Sequence, residues 1–282
     1  MKTAIITDSA ANLTEEFLQE NPFVFVVPLV IVMDGVSFRD QVEVKAEEVY
    51  ASLEEKTITT SLPDTNDLLN TIEMIKKEGY DQALLITISS ALSGTYNAFR
   101  LALEDVLFPV TMYDSKTLAG GEGLLVEEAS ELVKKEVEIP EIIPALDKQR
   151  YENSLAMYTV HTLKYLRKGG RIGKVEGTIG DILHIKPIIT VNEEGAYITL
   201  GKSFGLLRTL QKMKDLFVKK FQNALIDLTI HYGDDLEKAK SLAGQLMESL
   251  RIRKLTISPL TPVLGIHTGP MMFAYIGRLV QE

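Results

Sequence analysis

The stretch Leu84-Leu85-Ile86-Thr87-Ile88-Ser89-Ser90-Ala91-Leu92-Ser93-Gly94-Thr95-Tyr96-Asn97-Ala98-Phe99 constrains the fold more than any other segment. The apolar residues Leu84, Leu85, Ile86 and Ile88 predict a strand buried on both faces. Beyond Gly94, the spacing of Tyr96, Phe99, Leu101, Ala102 and Leu103 predicts an amphipathic helix. Ser93 then falls at a strand-to-helix turn, close to the helix N-cap. The first-turn amides there lack partners and the helix dipole is positive, so an anion is favoured. A strand buried on both faces and feeding a helix requires helices above and below a parallel sheet.

The rest of the chain supplies that frame. Lys2 to Thr7 is strand-like and ends in Asp8-Ser9, and Asn12-Leu13-Thr14-Glu15 opens a short helix. Phe23 to Met33 reads as a strand, with Asp34-Gly35 turning into Val36-Ser37-Phe38. Lys45 to Glu55 reads as a helix, Thr57 to Pro63 as extended chain or loop, and Asp64 caps a helix to about Lys77. Phe108 to Tyr113 is a strand ending in Asp114-Ser115. Helices follow from about Leu118 to Lys135 and from Ile139 to about Tyr151. This alternation predicts an α/β unit, with Thr7-Asp8-Ser9, Ser89-Ser90 and Asp114-Ser115 at one sheet edge, where ligands bind in such folds.

After about Asn153 the pattern changes. Strands are expected at Leu155 to Val160, Lys186 to Val191, Ala196 to Leu200, Leu225 to Tyr232 and Lys254 to Ser258. A basic helix is expected over Phe204 to Phe221, and a further helix over Leu236 to Leu250. Val263 to Ile266 reads as a last short strand, followed by His267-Thr268-Gly269-Pro270 and a terminal apolar helix. The expected domains are residues 1–153, α/β/α with a parallel sheet, and residues 154–282, α/β with a mixed sheet.

Composition removes several functions. The net charge of −9 argues against nucleic acid as a general partner. There is no Cys, so thiol chemistry is excluded and a reducing cytosol is compatible. The N-terminus lacks a signal-peptide pattern, and the apolar run from Phe23 is broken by Pro28, so a cytoplasmic protein is expected. There is no Walker motif, no Gly-x-Gly-x-x-Gly and no His-Glu-x-x-His. Gly120-Gly121-Glu122-Gly123 follows a strand, but its spacing suits helix packing better than a dinucleotide. With no Cys and scattered His, no metal site is expected.

Four clusters remain as candidate sites. Ser93-Gly94-Thr95 is either a helix cap or an anion site, with Ser89 and Ser90 adding hydroxyls. Thr59-Thr60-Ser61-Leu62-Pro63-Asp64 is either a capped loop or a second set of donors; neutral hydroxyls suit a carboxylate. Gly169-Gly170-Arg171-Ile172-Gly173 is either a glycine-capped helix end or an arginine reaching for an anion. His267, in Gly265-Ile266-His267-Thr268-Gly269-Pro270, has the most site-like setting of the four histidines. A nucleophilic Ser93 with a distant His267 as base stays open, although Gly-x-Ser-x-Gly is absent. The basic helix, with Arg208, Lys212, Lys214, Lys219 and Lys220 and with Lys202 just before it, is either a solvated face or a docking surface for an acidic partner or an anionic membrane.

Taken together, these motifs resemble the DegV family of bacterial fatty-acid-binding proteins. The likeness runs through Ile6-Thr7-Asp8-Ser9, Val27-Pro28-Leu29, Phe38-Arg39-Asp40, Thr60-Ser61-Leu62-Pro63, Ile88 to Ala98, Asp114-Ser115, Leu166 to Ile172, Ile185-Lys186-Pro187-Ile188 and His267-Thr268-Gly269-Pro270. Leu62, Asp64 and Ile266 depart from the usual family residues. The resemblance implies two α/β domains holding one long-chain fatty acid, no further cofactor, and no catalysis by the chain itself. It implies that Thr60 and Ser93 bind the carboxylate, with Ser61, Gly94 and Thr95 beside them, and that Arg171, His267 and Thr268 lie near the head group. It also implies a separate fatty acid kinase of the dihydroxyacetone-kinase-like type and acyl-phosphate formation for phospholipid synthesis; a transient contact with a membrane surface is an expectation from the basic helix.

Overall fold

A computed structural model describes residues 1–175 and 184–280. Strands β1 (Thr3–Asp8), β2 (Val24–Val27), β6 (Gln82–Thr87) and β7 (Val110–Asp114) form a parallel sheet in the order β2-β1-β6-β7. Its central strands are buried on both faces, as their unbroken apolar runs require. Ile5, Leu84 and Ile86 pack against the helices Gly120–Lys134 and Ile139–Lys148. Their neighbours Ala4, Ile6, Ala83 and Leu85 pack against the helices Thr65–Lys77 and Thr95–Ala102. One-residue alternation therefore fills two separate cores.

The second sheet is mixed. Its order is β10 (Tyr197–Phe204), β9 (Ile185–Val191), β8 (Ser154–Val160), β13 (Met272–Leu279), β11 (Leu225–Tyr232) and β12 (Arg251–Pro259). Only β11 and β12 run parallel. One face carries Met157, Ile188, Phe273 and Tyr275 into a core with the helices Leu206–Phe221 and Leu236–Met247. The alternate residues Tyr158, Ile189, Ala274 and Ile276 turn the other way, into a core shared with Leu29, Ile31, Ile88 and Leu124 from the first half of the chain. That shared core is where the two large sheets meet.

Two expectations need correction. The run Phe23 to Met33 is two strands in two sheets. Pro28 ends β2, and β3 (Val30–Met33) joins β4 (Val36–Arg39) and β5 (Ile58–Ser61) in a small antiparallel sheet ordered β4-β3-β5. Proline lacks the amide that a continuing ladder needs. The stretch Thr57 to Pro63 thus contains a strand.

The C-terminal expectation is reversed. Val263 to Ile266 lies in a helix, Pro262–Thr268, and the terminal apolar run is β13. Pro262 sits in the first helical turn, where its fixed φ and missing amide favour a start. β13 is buried almost throughout because it lies between β8 and β11. A strand covered on both faces shows no alternation and reads like a buried helix.

Candidate functional site

A cavity of about 270 Å³ opens between the sheets. Its walls are mainly apolar: Leu29, Ile88, Leu118, Ala119, Val191, Val263, Leu264, Met272 and Ile276 line it. Of the residues singled out from the sequence, Thr60, Ser61, Ser93, Gly94, Arg171, His267 and Thr268 also line it. Their contributions come from β5, the turn after β6, the segment after the helix Lys164–Lys168, and the helix Pro262–Thr268. Ser61, Leu62, Gly94 and Arg171 are exposed as well as lining, so they mark the opening.

Thr60 and His267 meet there, with Thr60 Oγ1 3.3 Å from His267 Nε2. His267 is 9% exposed. Burial, and then the nearby charge of Arg171, push its pKa down to about 4, so the imidazole is neutral at pH 7. Its Nδ1 has no hydrogen-bond partner among the described residues. The ring packs against the bare Cα of Gly169, where a Cβ would overlap Nδ1. Gly169 thus makes room for an imidazole, while Gly170, with φ +67°, supplies the left-handed turn before Arg171. Arg171 itself is exposed, and its guanidinium donates to Gly169 O at 2.8 Å.

In the turn after β6, Ser93 Oγ lies 2.8 Å from Thr95 Oγ1 and accepts from Thr95 N at 3.3 Å. The N-cap of the helix Thr95–Ala102 is Gly94, one residue later than Ser93. A Cβ on Gly94 would lie 2.7 Å from Leu62 Cδ2, so the β5 turn rests on bare backbone. Thr95 is buried behind Ser93 and does not line the cavity. The Thr268 hydroxyl faces carbonyls of its own helix, 3.4 Å from Leu264 O and 3.5 Å from Gly265 O.

Other hydroxyls near this turn have structural work. Ser89 Oγ donates to Gly195 O at 3.0 Å, which docks the β9–β10 turn on the end of β6. Ser90 donates to Asp114. Asp8, at the end of β1, accepts from Ile88 N at 2.8 Å and Ala10 N at 2.9 Å. Of the hydroxyls in the turn after β6, Ser93 lines the cavity, as does Thr60 from β5. Ser93 pairs with Thr95 and His267 with Thr60, so the geometry does not assemble a serine–histidine pair.

Sequence reasoning missed Tyr158 and Tyr197. Both are buried and line the cavity, with ring centroids 5.6 Å apart in an edge-on arrangement. Burial pushes the Tyr197 hydroxyl up to about 12 and raises that of Tyr158 well above its ordinary value, so both stay protonated. Each sits at an inward position of its strand, which only the face of the sheet could reveal.

The glycines around Glu122 serve helix packing, as their spacing suggests: a Cβ on Gly121 would lie 3.3 Å from Ala156 Cβ on β8, and one on Gly123 would lie 2.7 Å from Ala11 O in the turn after β1. Among the described residues, no cluster of three or more His, Asp or Glu is placed to hold a metal ion. Nor is any described helix long and apolar enough to cross a membrane.

Known proteins share this architecture. The family described as "Uncharacterised protein, DegV family" matches residues 2–277. A DegV domain-containing protein of Clostridium perfringens is 36% identical over 282 residues, covering 100% of this chain and 99% of its own. A fatty-acid-binding DegV family protein from Thermus thermophilus superposes with a TM-score of 0.92 at 26% identity, over 99% of this chain and 100% of that one. A Thermotoga maritima protein with fatty acid binding function gives a TM-score of 0.87 at 26% identity, again over 99% and 100%. Sequence, fold and cavity converge, and the chain belongs to the DegV family.

Proposed function

We propose that this protein binds one long-chain fatty acid and presents its carboxylate to a partner kinase. The observation that carries this reading is the cavity, apolar along its walls and polar at Thr60, Ser93 and His267. Each methylene buried there contributes about 0.8 kcal/mol, so a long saturated chain binds tightly. The carboxylate accepts from the Thr60 and Ser93 hydroxyls, with Ser61 and Gly94 shaping that wall and Thr95 holding Ser93 from behind. Hydrogen bonds to a charged group are worth about 1.5–3 kcal/mol each. Arg171, exposed at the opening, favours a phosphorylated head group or the encounter with the kinase, and His267 and Thr268 close the site behind it.

The chain is not itself the catalyst in this reading. A separate, ATP-dependent fatty acid kinase of the dihydroxyacetone-kinase-like type forms the acyl phosphate, which feeds phospholipid synthesis. Residues 1–153 supply the hydroxyls, and residues 154–282 close over the lipid. Loading and release involve a transient contact with a membrane surface. The exposed Phe204 and Leu207 support this contact, flanked by Lys202 at the end of β10 and Arg208 on the basic helix. The work is cytoplasmic and involves no nucleic acid.

Denaturing extraction of the purified protein, followed by mass spectrometry, tests the reading. Near-stoichiometric fatty acid is expected, reduced in a Thr60→Ala, Ser93→Ala double variant. A lipid-free protein that also takes up no added fatty acid overturns it.

A further inference from the structure

The helix Pro262–Thr268 carries His267 at its C-terminal end, and a side chain from β4's end holds its start. Asp40 is 1% exposed. It accepts from the Val263 amide at 2.9 Å, across 223 positions of sequence. It also accepts from the Thr261 hydroxyl and from Ser9 Oγ, the latter at 2.6 Å. Thr261 is the helix N-cap but makes no side-chain capping bond of its own, because its hydroxyl goes to Asp40. A carboxylate at that place satisfies an orphan amide and complements the helix dipole.

The same carboxylate reaches the cavity wall by a second route. Ser9 Oγ, which donates to Asp40, accepts from Leu29 N at 3.1 Å, and Leu29 lines the cavity. Asn12 completes the clamp: it accepts from Thr261 N at 2.6 Å and donates to Pro259 O at 3.0 Å. The segment entering the helix is thus fixed to the end of β1 from two sides. Val263 and His267 are four residues apart, one turn along the same face and about 6 Å in rise. A helix this short acts as one rigid piece, so a tilt at Val263 moves His267 against Thr60.

We infer that Asp40 is a positioning residue for the fatty-acid head-group site, setting where His267 meets Thr60 by anchoring the start of the helix Pro262–Thr268. The inference rests on the fatty-acid reading above. Asp40 touches no ligand and acts through His267.

The test uses wild type, Asp40→Ala, Asp40→Asn, Thr261→Val, and Asp227→Asn as a control. Asp227 accepts from Arg253 and Arg278 away from the cavity, so losing its charge lowers stability without touching the site. Two readouts are taken. One is displacement of a fluorescent fatty acid by oleate, and the other is the His267 imidazole ¹⁵N signal in ligand-free protein. Asp40→Ala is expected to weaken binding about tenfold and to shift the His267 signal. Asp40→Asn keeps a carbonyl oxygen for the Val263 amide and restores most of both. Asp227→Asn changes neither, even with a matched loss in melting temperature.

Asp40→Ala binding within about twofold of wild type, or an unmoved His267 signal, overturns the inference. If Asp40→Ala does not fold, Thr261→Val, which removes one of the three bonds, is judged by the same two criteria with a smaller expected effect. If wild type takes up no fatty acid, the functional reading fails, while the ligand-free His267 signal still decides the role of Asp40.

Discussion

Thr60 Oγ1 and His267 Nε2 lie 3.3 Å apart across 207 positions of sequence. The contact joins the small antiparallel sheet to the helix Pro262–Thr268, two elements that both line the cavity. Its electrostatic condition is set by burial, which keeps the imidazole uncharged at neutral pH.

That condition can be measured directly. In ligand-free protein the His267 imidazole should titrate near 4, against about 6.5 in an unfolded chain. Between those values the unfolded state binds a proton that the folded state does not. His267 therefore favours folding above pH 6.5, and that contribution is lost as pH falls toward 4. A bound carboxylate beside the ring should raise its pKa. Proton NMR of the ring Cε1–H across pH checks both points. A midpoint near 6.5 without ligand contradicts the geometry.

Gly169→Ala tests the space behind the ring. The backbone at Gly169 is helical, with φ −80°, so alanine costs little there. Its Cβ would nevertheless overlap the His267 ring. Fatty acid binding should fall about tenfold while the melting temperature drops only a few degrees. Equal affinity in calorimetric titration would show that His267 does not need its present position.

Asp8 gives a prediction of opposite sign. Burial, reinforced by the neighbouring Asp40, pushes its carboxyl up to about 7, against a lowering by the Ile88 and Ala10 amides. Glu122, fully buried and close to Asp8, is raised for the same reasons. A folded state that holds a proton the unfolded state has released loses stability as pH rises. Stability should thus decline from about pH 4 to about pH 7, by a few kcal/mol in order of magnitude. Asp8→Asn should flatten that slope, whatever it does to the absolute stability. Urea melts across the range decide it, and an unchanged slope refutes it.

The fold was legible where burial leaves a pattern. The strand before Ser93 and the helix after it follow from residues 84–99, and the helix Thr65–Lys77 follows from the Asp64 cap. The site was legible as residue types: Thr60, Ser93, Arg171 and His267 all reach the cavity. What each does there was not. Ser89 looked like a ligand donor and instead holds the β9–β10 turn, because its partner Gly195 lies 106 positions away. Gly169 looked like room for an anion and makes room for His267. Asp40 carried no local sign of its role, since the helix it caps lies in the other half of the sequence. Such assignments depend on which distant segments meet, and no window of the chain contains that information.

The placement of β13 has a consequence for how the protein comes into being. The most C-terminal of the described strands lies in the middle of its sheet, between β8 and β11. Until translation has passed Leu279, the sheet exists at most as two separate pieces, β10-β9-β8 and β11-β12. Met272, Ala274 and Ile276, which wall the cavity, arrive with that strand. A nascent chain therefore has no enclosed place for a lipid until β13 has been made, and the pocket and this sheet are completed in the same step.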